Sequence, residues 1–231
     1  ADEELVKLSN ILPENFIMPN SKLVNTMSKN RINPTEHTEF ELTFKKEKYS
    51  TQVTLRYDDK NVTIYDKGKE FTPYDRSVMN AVCSLFEVGT TVFTPSQVYR
   101  TMNGLTDKEK VKQYSIEKVV ESIDKMRRTF IDIDWEDESR MYKNLDKFRA
   151  KIEDYLLPAK KVTTISGGNK TVAYQLNSKP VLYEYSQYTN QVLNVPMKLL
   201  NTKSAIRTSE EVTVIREYLL QRIELMKNKK N

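Results

Sequence analysis

The sequence has little of what metal sites and covalent catalysis need. Its 231 residues include one cysteine, Cys83, and one histidine, His37. A single cysteine excludes a disulfide framework and is typical of a reducing compartment, and the apolar helical pattern around Cys83 predicts a buried thiol. Zinc sites need several histidine or cysteine ligands, and a nucleophilic triad needs a base. We therefore expect no cofactor, no metal and no enzymatic activity.

Glycine and long apolar runs are scarce as well. There are five glycines, and no apolar run approaches the roughly 18 residues of a membrane span. The chain opens with Asp2, Glu3 and Glu4, unlike the basic start of a signal peptide. These absences predict a cytoplasmic protein with no membrane partner. The pair Gly167-Gly168 lacks the upstream glycine spacing of a phosphate-binding loop and predicts a turn.

Charge is plentiful and unevenly distributed. The formal net charge is +5. Residues 71–135 carry nine basic and nine acidic side chains, whereas residues 136–231 carry 17 against 11. A basic excess favours polyanionic partners such as DNA.

The first seventy residues are predicted to contain a small antiparallel sheet. Apolar and polar residues alternate over 37–44, 51–57 and 61–66, which is the period of a strand. Apolar clusters around 5–12 and 16–18 predict short helices or extended arms.

The period then changes to that of helices. Thr72 and the proline after it predict a helix start, with the helix running to about Glu87 and ended by Gly89. Thr94, followed by proline, predicts the N-cap of a second, shorter helix that stops before Gly104.

A third helix is predicted from Ser115. Its apolar positions recur on one face, at Ile116, Val119, Val120, Ile123, Met126 and Phe130. The opposite face carries Lys118, Glu121, Lys125 and Arg128.

The second half of the chain mixes strands and helices. Residues 129–135 predict a strand, 139–156 a helix, and 160–176 a hairpin that turns at Gly167-Gly168-Asn169. Pro180 opens a helical segment over 180–193. The last helix, 209–227, is predicted to start at Ser209 and to bury the stripe Val212, Ile215, Leu219, Ile223 and Met226.

This order of elements predicts an α+β protein with a winged helix-turn-helix core. Residues 1–70 form the N-terminal antiparallel β segment, 71–177 the winged-helix domain, and 178–231 a C-terminal helical segment. We expect the last segment to be the start of a truncated second winged-helix domain.

In such a core the third helix presents its polar face to the major groove of double-stranded DNA. Lys118, Lys125 and Arg128 suit base edges or phosphates, and Glu121 suits a cytosine amino group. The alternative is a solvated helix face with i,i+4 charge pairs. For the hairpin, the predicted phosphate contacts are Lys160, Lys161 and Lys170, and the alternative is a hairpin with no ligand.

An acidic row offers a competing site. Asp132 and Asp134 alternate on a predicted strand, and Glu136 and Glu138 continue the row. Four carboxylates on one face can hold a divalent ion in a metal-dependent nuclease. The solvent face of a strand explains the same pattern.

Four stretches resemble replication initiator (Rep) proteins of plasmids and mobile elements of Gram-positive bacteria. They are YDRSVMNAVCSLFEVGTTVFTPSQVYRTMNG (74–104), VVESIDKMRRTFIDID (119–134), SKPVLYEYSQYTNQV (178–192) and REYLLQRIELMKN (216–228). The resemblance implies sequence-specific, non-catalytic binding to repeated sites at a replication origin, with host replication proteins and a homodimer among the expected partners. Initiators with two winged helices continue well past a helix such as 209–227, and the resemblance does not extend to the predicted sheet at 37–66.

Two other functions fit the same fold. A transcriptional regulator of a mobile element would bind DNA in the same way. A winged helix used only for protein interaction or dimerisation would fit the neutral charge of residues 71–135.

Overall fold

A computed structural model of the protein describes residues 12–30, 37–44, 47–57, 70–140, 151–201 and 210–228. This part of the chain is α+β and its strand pairs are antiparallel. The helices are α1 (Lys22–Asn30), α2 (Pro73–Glu87), α3 (Pro95–Asn103), α4 (Gln113–Met126), α5 (Glu136–Ser139), α6 (Val181–Tyr188) and α7 (Glu210–Asn228). The strands are β1 (Asn15–Pro19), β2 (His37–Phe44), β3 (Glu47–Tyr57), β4 (Val92–Phe93), β5 (Thr129–Asp134), β6 (Lys151–Tyr155), β7 (Ala159–Ser166), β8 (Asn169–Leu176) and β9 (Val192–Pro196).

The described strands form three sheets. One has the order β2-β3-β5-β6, a second β4-β8-β7, and β1 pairs with β9. The predicted strands over 37–44 and 51–57 are therefore confirmed and adjacent, while 61–66 lies outside the described residues. Strand β3 pairs with β5 across the predicted boundary at residue 70, and β1 pairs with β9 across the boundaries at both 70 and 177. One cluster of buried residues contains members of all three predicted segments, 1–70, 71–177 and 178–231.

Helix α2 lies at the centre of the core. Its start is fixed by a capping box in which Thr72 and Asp75 bond reciprocally, as the sequence predicts for a helix start there. Its apolar positions Val78, Val82 and Leu85 are fully buried. α3 and α4 pack against it, and α3 starts at the predicted N-cap.

The two glycines that the sequence predicts at helix ends both have a positive φ. Gly89 follows α2 with φ 82°, and Gly104 follows α3 with φ 60°. A Cβ at Gly104 would lie 2.9 Å from the carbonyl oxygen of Met197 and 3.0 Å from the amide nitrogen of Asn201. Glycine is thus required there both by the backbone turn and by the close approach of another segment.

The helix predicted over 139–156 is wrong where the structure describes it. Helix α5 ends at Ser139, and 151–155 is strand β6, paired with β5 so that Ile152 lies opposite Ile133. Ile152 is buried between exposed Lys151 and Glu153, so the period there is that of a strand.

Smaller boundaries also differ. Helix α4 begins two residues before Ser115, and Lys112 at its N-cap makes no side-chain cap bond. The helix opened by Pro180 ends at Tyr188, because Asn190 takes a positive φ of 54° and the chain turns into β9.

The predicted burial of the last helix is reversed. In α7 the stripe residues Ile215, Leu219, Ile223 and Met226 are exposed, while Glu217 and Gln221 are buried. Arg216 and Glu217 bond to groups on other elements, and these polar contacts set which face points inward. No helix in the described ranges is long and apolar enough to span a bilayer.

Candidate nucleic-acid interface

Three of the seven predicted contact residues lie on the outward side of α4 or just after its end. Glu121 and Arg128 are exposed, and Lys118 is half-buried with its ammonium 5.5 Å from the centre of the Tyr114 ring. These three side chains line an open cleft of about 460 Å³, whose other walls include Tyr57 and Tyr74. The cleft brings three cations and two aromatic rings to one surface together with three carboxylates, which belong to Asp75, Glu121 and Asp124.

Lys125 has a different position from the one predicted. Its ammonium lies 2.6 Å from a carboxylate oxygen of Asp75 and donates to the carbonyl of Glu70 at 3.0 Å. Ser122 donates to the other oxygen of Asp75 at 2.7 Å. The Lys125 side chain is only 16 % exposed. Its contacts with Asp75 and Glu70 anchor α4 to the start of α2.

A second acidic side chain fixes the hairpin to α4. Asp124 accepts hydrogen bonds from Lys161 at 2.5 Å, from Tyr174 at 3.1 Å and from Arg127 at 2.8 Å. Burial opposes the charge on Asp124, but the hydrogen bonds and positive charges of Lys161 and Arg127 outweigh it and lower its pKa. Burial, and the adjacent Asp124 carboxylate, raise the pKa of Tyr174, which keeps its hydroxyl protonated as a donor.

The hairpin of β7 and β8 is the one predicted from the sequence. Gly167 and Gly168 both have positive φ, as a two-residue hairpin turn requires. Lys160 and Lys170 are exposed, whereas Lys161 is engaged by Asp124. The tip of the hairpin, residues 167–171, is exposed throughout, so it projects from the body of the protein.

Sequence reasoning missed a group of residues before α4. Lys108, Lys110, Lys112 and Tyr114 are all exposed, and the ring of Tyr114 is 67 % exposed. They lead into a helix start that has no side-chain cap. Lysine at every second position from 108 to 112 was a signal for this basic segment.

The four acidic side chains from Asp132 to Glu138 do not lie in one row in the structure. Asp132 and Asp134 share a face of β5. The Lys151 ammonium nitrogen lies 3.1 Å from a carboxylate oxygen of Asp132. Glu138 turns inward, where Thr51 donates to it at 2.6 Å and Tyr185 also donates. The prediction that Glu138 continues the row is therefore wrong, because it satisfies buried hydroxyls. Within the described ranges no three histidine, cysteine or carboxylate side chains converge to hold a metal.

Comparison with known proteins gives limited similarity. No protein-family model matches the chain, and no curated protein matches it in sequence. Two crystal structures of domains 2 and 3 of RctB align with this chain over most of its length. Their sequences are 12 % and 14 % identical to this one. The alignments cover 88 % and 87 % of this chain and 69 % of each RctB chain, and both have a TM-score of 0.46. A TM-score this low establishes neither a shared fold nor a shared activity, and the matches do not single out initiators of Gram-positive bacteria.

Proposed function

We propose that the chain binds double-stranded DNA sequence-specifically through a winged helix-turn-helix made of α2, α3, α4 and the β7-β8 hairpin. The observation that carries this proposal is the contact of Asp124 with Lys161 and Tyr174. It joins the hairpin to α4, so that the outward side of α4 and the projecting hairpin are held in fixed positions. A helix for the major groove beside a ribbon for the backbone is how winged helices bind DNA.

The contact residues have different roles in this proposal. Arg128 and Lys118 reach base edges or phosphates, and Glu121 accepts from a cytosine amino group. Lys160 and Lys170 neutralise phosphates, as does the basic segment 108–112. Lys125 and Lys161 act indirectly, since their ion pairs hold α4 and the hairpin in place.

The biological role that fits best is a replication initiator of a plasmid or mobile element, with no catalytic step of its own. The support is the resemblance of the four sequence stretches to Rep proteins, together with half-buried Lys118 on α4 and exposed Arg128, Lys160 and Lys170 just after it and on the hairpin. Such a protein binds repeated origin sites and recruits host replication proteins.

Single substitutions test the DNA interface. We expect Arg128→Ala to weaken binding to the preferred duplex by about 1–3 kcal/mol and to relax base preference at one position. Lys170→Ala should weaken binding to all duplexes alike and reduce the salt slope by about one. Lys198→Ala, an exposed lysine on the turn after β9, is the matched control. Equal affinity of all three variants and the parent, measured by fluorescence anisotropy, would exclude this interface.

A protein-interaction module is the second candidate. The balanced charge of residues 71–135 favours it, because a dedicated DNA reader usually carries a basic excess there. Weak binding that is equal on every duplex would favour this function. A transcriptional regulator would bind its operator tightly but would not retain host replication proteins in a pull-down.

A further inference from the structure

The chain between α3 and α4 makes a tight turn that is held by one side chain of α3. The amide of Glu109 donates to the carbonyl oxygen of Thr106 at 3.2 Å, which closes the turn over residues 106–109. Arg100 Nε donates to the same Thr106 oxygen at 3.2 Å, and Arg100 Nη2 donates to the carbonyl oxygen of Glu109 at 3.1 Å. The guanidinium of Arg100 therefore bonds to the first and the last residue of the turn.

The third nitrogen atom of the same guanidinium is bonded to α3. Arg100 Nη1 donates to the hydroxyl of Ser96, one helical turn earlier. A guanidinium is a planar fork with five N–H donors, so bonds from three of its nitrogen atoms set both its position and its orientation. Because α3 packs against α4, Arg100 holds the turn at a defined place beside the start of α4.

The turn and the residues after it carry three exposed lysines, which are Lys108, Lys110 and Lys112. Val111, between the last two, is half-buried. The segment therefore lies against the body of the protein through Val111 and directs its lysines into solvent.

The segment also carries two acidic side chains, so its net charge is small. Asp107 and Glu109 are exposed, and residues 107–112 have three basic and two acidic side chains, a net charge of +1. A net charge this small attracts phosphates weakly unless the lysines face the DNA and the carboxylates do not. Phosphate binding by this segment therefore depends on the conformation of the turn.

These lysines lie at the opposite end of α4 from the other contact residues. Lys112 is the N-cap of α4, whereas Arg128 lies two residues past its last residue, Met126. The hairpin is bonded near that same far end, at Asp124. The 14 residues of α4 span about 21 Å. Cations separated by that distance contact different phosphates of a duplex.

We propose that Arg100 is a positioning residue for a second contact with the DNA backbone, which Lys108, Lys110 and Lys112 make at the N-terminal end of α4. This inference rests on the proposed DNA binding and deepens it. Arg100 stays bonded to the turn and to α3 and does not itself contact DNA. By holding the turn it orders the lysines before DNA arrives, which lowers the entropy cost of binding.

Arg100→Lys tests the inference, because it keeps the positive charge but replaces the planar fork with a single ammonium. Fluorescence anisotropy on the preferred duplex at several salt concentrations gives the salt slope. We expect Arg100→Lys to reduce this slope by about one or more, and we expect Lys108→Ala, Lys110→Ala and Lys112→Ala combined to reduce it by up to about three. Arg222→Lys, at an exposed arginine of α7, is the matched control and should keep the slope of the parent.

Two measurements separate positioning from a general loss of structure. When the three lysines are already alanine, Arg100→Lys should cause no further change in DNA binding, whereas a damaged fold would weaken binding in both backgrounds. In hydrogen exchange without DNA, the amide of Glu109 should exchange faster in Arg100→Lys, while amides of α2 should be unchanged.

The outcomes distinguish this inference from the proposed function. If the parent binds a duplex and Arg100→Lys keeps the salt slope of the parent, positioning by Arg100 is wrong while DNA binding stands. The same conclusion follows if Arg100→Lys weakens binding equally in both backgrounds. If the parent binds no duplex, both the proposed function and this inference are wrong.

Discussion

The buried carboxylate of Glu217 makes stability depend on pH, and the effect can be calculated. Burial raises the pKa of Glu217 to about 7 from 4.5, and the Ser77 hydrogen bond and the charges of Arg76 and Arg216 only partly oppose it. Burial also lowers the pKa of Arg76, to about 10, so Arg76 stays charged at neutral pH. The folded protein therefore holds the Glu217 proton more tightly than the unfolded chain does.

The sign and size follow from this difference in pKa. Stability from Glu217 is fully present below pH 4.5 and is lost as pH rises to about 7, because the unfolded chain releases the proton first. The difference between the two pKa values corresponds to about 3 kcal/mol. We expect Glu217→Gln, which keeps a carbonyl oxygen for Ser77 and Asn80 but does not titrate, to remove this loss.

Urea unfolding between pH 5 and pH 8 measures the effect. The fluorescence of Trp135, the one tryptophan and fully buried, reports the transition. The free energy of unfolding of the parent should fall with pH more steeply than that of Glu217→Gln. Glu224→Gln, on the same helix but partly exposed, should follow the parent. Parallel pH profiles for the parent and Glu217→Gln would refute the reasoning.

Three further predictions concern the turn glycines, the hairpin and the thiol. Gly104→Ala should lower the free energy of unfolding by about 2–4 kcal/mol, because the alanine would take a positive φ and its Cβ would lie too close to Met197. Gly89→Ala, whose Cβ would point into open space, should lower it by about 1–2 kcal/mol. Equal losses in urea unfolding would contradict this. Asp124→Asn should speed hydrogen exchange in the hairpin but not in α2, and unchanged hairpin exchange would show that the contact is not needed. Burial raises the pKa of Cys83, so a thiol reagent should react only after unfolding; rapid native-state reaction would exclude the buried position.

Local signals in the sequence predict the helical centre of the fold well. The capping box of Thr72 and Asp75 acts over three residues, so the start of α2 is encoded where it forms. The turn at Gly167-Gly168 is local in the same way. Such elements need no knowledge of distant partners.

Elements that depend on distant partners are predicted wrongly. Residues 151–155 fit a helical period within a longer window, yet they pair with β5 as a strand. In α7 one of the buried residues is Glu217, whose partner Ser77 lies 140 residues earlier in the chain. No periodicity can reveal that a polar face is buried when its partner lies so far away in sequence.

The candidate site shows the same limit. Sequence spacing places Lys125 on the outward face of α4 and Lys161 on the hairpin, whereas in the structure the Lys125 ammonium is paired with Asp75 at the start of α2. It cannot show that Asp75 and Asp124 engage these ammonium groups. The lysines at every second position from 108 to 112 are visible in the sequence, but only the structure shows that this segment is exposed directly before α4.

The measurement that tests the central claim most directly is binding of the parent chain to duplexes tiled across the DNA that flanks its own gene. Fluorescence anisotropy at two salt concentrations gives both the preferred segment and the salt slope. The account predicts tight, salt-sensitive binding to one repeated segment and weak binding elsewhere. Weak binding that is equal on every duplex would contradict it.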